Sequence, residues 1–144
     1  PRAIETAEIV ARTLGIPVEI TDALREYDCG ALEGRGDEAA WASHRQFWVD
    51  WSAGRKRDQA PPGGETCYDI QKRFGTFIDN LVQEFGQSEA ELLCIGHGGL
   101  YTFGLPRVLA NVDCEFIESH SLGHTVVVTA ELVAGKLVCT GWNE

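Results

Sequence analysis

Apolar residues recur at three- and four-residue intervals at the start of the chain. Ile4, Ala7, Ile9, Val10, Ala11 and Leu14 follow this spacing, and Gly15 supplies a stop. That pattern predicts a helix over residues 3–14. Ile16 to Ile20 is short, β-branched and bounded by turn residues, which predicts a strand. Residues 37–53 read as a second helix, with Trp41, Trp48, Trp51 and His44 sharing one face. Gly54 to Gly64 contains Arg55, Lys56, Arg57, Pro61 and Pro62, and is expected to be a loop. The strongest periodicity follows: Ile70, Phe74, Phe77, Ile78, Leu81, Val82 and Phe85 lie on one helical stripe, closed by Gly86. Leu92 to Ile95 is a continuous apolar run suited to a buried parallel strand. Gly96-His97-Gly98-Gly99 then turns the chain into another helix, which Pro106 must kink or end. Thr125 to Leu132 and Leu137 to Trp142 form a hairpin across Ala134-Gly135. Strands alternating with helices predict a single α/β domain over residues 1–144. Its expected form is a three-layer α/β/α sandwich with a mostly parallel sheet and an antiparallel edge hairpin.

Composition narrows the function classes. A net charge of −10 argues against nucleic acid as the main partner, because a phosphate backbone needs a basic surface. A small phosphorylated substrate, or inorganic phosphate, needs only a few local cations and stays open. No apolar run approaches membrane-spanning length, and no signal peptide is visible, so a soluble cytoplasmic protein is expected. The five cysteines are scattered and form no C-x-x-C pair, which indicates neither zinc nor a disulfide framework but buried or idle thiols in a reducing compartment. There is no Met, position 1 included, and a start at Pro1 points to processing or to an upstream segment.

The candidate chemistry centres on His97. A strand that ends in Gly-His-Gly-Gly and opens a helix faces the crevice where α/β sheets bind ligands. Its glycines let amides approach an anion, and the helix head favours negative charge. The plainer reading makes His97 a turn residue only. No G-x-S-x-G elbow accompanies it, so a hydrolase oxyanion hole is not indicated, and the third glycine of a Rossmann fingerprint is absent. Arg2 sits in the first turn of a helix, where a cation opposes the helix dipole but makes a strong phosphate site. Glu26 and Glu33 lie in a glycine-punctuated loop, where most such carboxylates are ordinary surface charge.

In order along the chain, these pieces resemble the histidine phosphatase superfamily, the phosphoglycerate-mutase-like proteins. Arg2-Ala3-x-x-Thr6-Ala7 is similar to that family's R-A-x-x-T-A helix start. Leu24-x-Glu26 with Gly30-x-x-Glu33-Gly34 resembles its L-x-E…G-x-x-E-G loop. Pro62-Gly63-Gly64-Glu65-Thr66 with Arg73 resembles its P-G-G-E-S helix start and later Arg, and Gly96 to Gly99 its second histidine motif. The resemblance implies Arg2, Glu26 and His97 as catalytic residues, with Arg2, His97 and Gly98 binding substrate, and Glu33 and Glu65 in structural roles. It implies no metal and no cofactor, in agreement with the lack of a ligand cluster at metal spacing.

The same resemblance exposes a gap. The family's nucleophile is a histidine in an Arg-His-Gly motif, and this sequence contains none. His124 stands where such proteins commonly have Asn. The expectation is therefore an upstream strand, central in the sheet, that carries the nucleophile and is missing here. The implied function is a phosphomonoesterase acting through a phosphohistidine. A non-catalytic phosphate-binding or regulatory relic is the alternative from another class, and a phosphoglycerate mutase a third. A homodimer is compatible with the sequence. Trp41, Trp48 and Trp51 either contact a ring-bearing leaving group or pack on the core, the latter preferred. Arg55, Lys56 and Arg57 either reach a second phosphate or form a solvated basic helix end.

Overall fold

A computed structural model describes residues 1–143. Helix α1 spans Arg2–Leu14 and ends at Gly15, whose φ of 69° lets its N–H bond the Ala11 carbonyl at 2.8 Å. Helix α2 spans Glu38–Ser52, and its N-cap Asp37 accepts from the Ala40 N–H at 3.0 Å. Helix α3, Cys67–Phe85, begins in a capping box between Thr66 and Asp69. Helix α4 is Gly98–Val108 and the short α5 is Cys114–Ser119. Strands β1, Val127–Val133, and β2, Lys136–Asn143, form an antiparallel hairpin with a bulge between Thr129 and Ala130. Its two-residue turn has positive φ at both Ala134 (48°) and Gly135 (79°), as a right-twisted hairpin needs.

The predicted apolar stripes account for the core. Ile70 and Phe74 of α3 pack with Leu100 and Phe103 of α4 in one buried cluster. Trp51 joins it from α2, edge-on to Phe103 at 5.3 Å and to Tyr27 at 5.8 Å between ring centres. Pro106 lies in the last turn of α4. Without an N–H it cannot bond back to residue 102, and the helix stops two residues later.

Two expected strands are not formed. Ile16 to Ile20 and Leu92 to Ile95 join no ladder, so among the described residues the sheet is the β1–β2 pair, with one isolated parallel bridge from Leu109 to Leu137. The mostly parallel, three-layer arrangement is therefore not seen in these residues. The reason is physical: a parallel strand exists only beside another strand, and no described segment pairs with either run. Leu92 and Leu93 are accordingly exposed rather than buried.

Candidate active site at the head of helix α4

The loop before α2 carries Glu26 to the first turn of α4, where helical N–H groups have no partner of their own. Glu26 Oε1 accepts from the Leu100 N–H at 2.7 Å and from the Tyr27 N–H at 3.1 Å. Its Oε2 accepts from the Gly99 N–H at 3.2 Å. Only glycine fits at position 99, because a Cβ there would sit 2.8 Å from Glu26 Oε1 and collide with the Tyr27 ring.

His97 is the residue just before α4, in extended conformation, and is half-buried. Arg2 Nη2 reaches to 3.5 Å from His97 Nδ1, which is long for a hydrogen bond. Burial pushes the imidazole below its ordinary pKa; Glu26 pulls it up, and Arg2 pushes it further down. The net shift is downward, which favours the neutral imidazole. Arg2, Glu26 and His97 thus come together at one helix head, with Gly98 as the first residue of that helix. The setting is open, since Arg2 is exposed. A groove of about 640 Å³ lies elsewhere, between α3, the end of α4 and the hairpin. A guanidinium, an imidazole and a carboxylate at one helix head can hold an oxyanion and pass a proton. Among the described residues no cluster of metal-ligating side chains occurs.

A second layer fixes the Glu26 loop. Glu65 receives Arg73 in a two-pronged pair, Nε to Oε1 at 2.9 Å and Nη2 to Oε2 at 3.1 Å. Arg25 and the Asp28 N–H each donate to Glu65 Oε2 at 2.9 Å. Arg73 Nη1 also donates to the carbonyls of Ala23 (2.8 Å) and Arg25 (3.1 Å). Burial pushes the Glu65 carboxyl up, but Arg73, the Asp28 amide and Arg25 together bring it below its usual range. Gly30 closes the loop at φ 52°, pressed against the Pro62 to Gly64 backbone where no Cβ fits. Glu33 Oε1 accepts from the Cys29 N–H at 2.8 Å, so both Glu33 and Glu65 shape loops.

The remaining candidates lie outside this cluster. Arg55 and Lys56 lie exposed just past the end of α2, and both pair with Asp50, at 2.9 and 3.0 Å. Asp50 itself is buried, and Gln46 bonds it as well, at 3.0 Å. Bonds from Gln46 and Lys56, against burial, hold its carboxyl down at about 2. Arg57 bonds the Trp51 carbonyl and the Cys114 sulfur. Trp51 is core, Trp48 packs on Phe103, and Trp41 is half-exposed. His120 stacks on Phe116 at 4.0 Å, and His124 is exposed. Sequence reasoning missed the bond between Tyr27 and His44, which a local pattern does not reveal. All five cysteines are free thiols.

The family model for the histidine phosphatase superfamily (branch 1) matches residues 1–144. Fructose-2,6-bisphosphatase TIGAR B of Danio rerio is 31% identical over 96 residues, spanning 64% of this chain and 35% of that protein. Bifunctional protein Rv2228c of Mycobacterium tuberculosis is 33% identical over 100 residues, spanning 67% of this chain and 25% of that protein. The chain thus matches only about a quarter to a third of the length of these curated relatives. The native structure of mycobacterial glucosyl-3-phosphoglycerate phosphatase Rv2419c superposes with a TM-score of 0.79 at 20% identity, over 99% of this chain and 72% of that one. Its complex with inorganic phosphate superposes at 0.76 with 21% identity, over the same shares of the two chains. At such identity the likeness establishes a shared mixed helix and strand fold.

Proposed function

Because the chain belongs to the histidine phosphatase superfamily (branch 1), we propose that it forms the phosphate-holding and proton-transferring part of a phosphomonoesterase acting through a phosphohistidine. The observation that carries this reading is the meeting of Arg2 and His97 beside the Glu26 carboxylate at the head of α4. The attacking imidazole, in this reading, belongs to an Arg-His-Gly segment outside residues 1–144. It forms a bond to phosphorus as the ester P–O bond breaks. Arg2 and His97 hold the equatorial oxygens, where charge accumulates. Glu26 gives a proton to the leaving oxygen, then takes one from the water that attacks the phosphohistidine and frees phosphate. The substrate class is a small phosphate monoester.

A second reading, a phosphate-binding domain without turnover, is favoured by one observation. No Arg-His-Gly occurs here, and His44 and His120 are committed to Tyr27 and Phe116. The test is p-nitrophenyl phosphate hydrolysis by residues 1–144 and by the polypeptide that includes the upstream coding sequence. The shorter chain is expected to be inactive, since loss of a nucleophile costs several orders of magnitude. The longer one is expected to turn over and to trap phosphohistidine, and to lose about 10²–10³-fold with Arg2→Ala or His97→Ala. Turnover by residues 1–144 that His97→Ala abolishes, with trapped phosphohistidine, would place the nucleophile elsewhere than this reading does. An inactive longer chain that still binds phosphate would select the second reading.

A further inference from the structure

Resting on the reading of Glu26 as the proton-transferring group, we propose that His44 is a positioning residue. Through the hydroxyl of Tyr27 it ties helix α2 to the loop that presents Glu26 at the head of α4. The Tyr27 hydroxyl and His44 Nε2 are 2.6 Å apart, and the two rings stack at 6.1 Å with an interplanar angle of 16°. Burial drives the Tyr27 hydroxyl far above its ordinary pKa, so it keeps its proton. A protonated hydroxyl can donate or accept, so it can bond His44 Nε2 in either imidazole tautomer.

Tyr27 is well placed to transmit this contact. It is buried, edge-on to Trp51 and to Phe103, and its own N–H donates to Glu26 Oε1. Its ring covers Gly99, one of the two α4 residues whose amides hold the same carboxylate. A rotation of the ring or a slip of residue 27 therefore moves the carboxylate and the amides it binds. The Cys29 thiol also lies near the hydroxyl, and the Glu26 and Glu33 carboxylates act on it as well. His44 is itself flanked by Trp41 and Trp48, with ring centres at 5.9 and 6.2 Å, which limits where its imidazole can go. The aromatic face of α2 thereby acquires a role in the site without touching a substrate.

The test reads the Glu26 hydrogen bonds directly, by amide hydrogen exchange at Gly99 and Leu100 in the 144-residue chain. Tyr27→Phe and His44→Ala are each expected to lower protection at these two amides by about tenfold, while amides in the middle of α3 keep theirs. His44→Gln, whose side-chain amide can donate or accept, is expected to recover most of the loss. Unchanged protection at Gly99 and Leu100 in Tyr27→Phe overturns the proposal. So does a uniform loss across α3 as well, or a His44→Gln variant no better than His44→Ala. Tyr27→Phe keeps the buried ring, so it decides the matter even if His44→Ala fails to fold. No step depends on turnover, so failure here is separate from failure of the phosphatase reading. That reading fails instead if Glu26→Gln leaves hydrolysis by the longer polypeptide intact.

Discussion

Helices α1 and α3 carry apolar stripes of similar quality, yet they end in opposite states. In α3, Ile70 is fully buried and Phe74 is 2% exposed. In α1, Ile9 is 57% and Leu14 61% exposed, and the adjoining run through Ile20 is open as well. A stripe specifies a face, and burial requires something to face. α3 finds α4 across Leu100 and Phe103, while α1 buries only Ala11. The candidate site straddles this divide. Glu26 rides on a loop clamped by Glu65 and Arg73, whereas Arg2 comes from the weakly packed helix. Hence Glu26 is fixed by amide hydrogen bonds, whereas Arg2 is exposed on a helix that buries little of its own surface.

The contrast is sharpest in core truncation. Phe74→Ala is expected to cost about 3–5 kcal/mol in urea unfolding. Ile9→Ala, on the open face of α1, is expected to stay within about 0.5 kcal/mol. Equal costs would erase the distinction between the two helices. Glu65→Ala should cost about 2–3 kcal/mol, because it strips a half-covered Arg73 of its carboxylate and frees the Asp28 amide. A change below about 0.5 kcal/mol would show that the loop carrying Glu26 is held by packing alone. Acid is expected to act more gradually. Asp37 is held at about 2 by Arg35 and the Ala40 amide, and Asp50 also at about 2; Asp69, bonded to Thr66, and Glu65 are lowered as well. Their folded values lie below the ordinary carboxylate value near 4, so their stabilisation is complete above it. It is lost as pH falls through the folded values, and unfolding midpoints should drop between about pH 4.5 and 2. Midpoints flat across that window would mean these ion pairs contribute nothing.

The helices were legible because their signals are local. Asp37, Thr66 and Gly15 mark ends that the stripes already implied. The hairpin was legible for the same reason, through Ala134-Gly135 between two apolar runs. Ile16 to Ile20 and Leu92 to Ile95 join no ladder among the described residues, because a strand is a property of a pair and composition describes one member only. α5 has six residues, too few for a periodic signal. Of the site, the order of Arg2, Glu26 and His97 along the chain was readable, but not that Glu26 would bond the amides of Gly99 and Leu100. The basic run at 55–57 was legible as a helix end, but not its acceptors, Asp50 and the Trp51 carbonyl, which lie on the preceding helix.

The two sides of the hairpin are finished differently. Along β2, the Ala110 N–H donates to the Leu137 carbonyl at 2.8 Å, and the Asn111 amide clasps the Cys139 backbone at 2.8 and 2.9 Å. Along β1, among the described residues, the outer edge from Val127 to Val133 pairs with nothing, and Val127 and Val133 are half-exposed. Such an edge is a template on which identical chains can stack. Its colloidal counterweight is the net charge of −10, which keeps copies apart while their fields extend through solvent. Salt shortens that reach to about 10 Å at 0.1 M and about 3 Å at 1 M. Self-association through the edge of β1 is thus expected to grow with ionic strength.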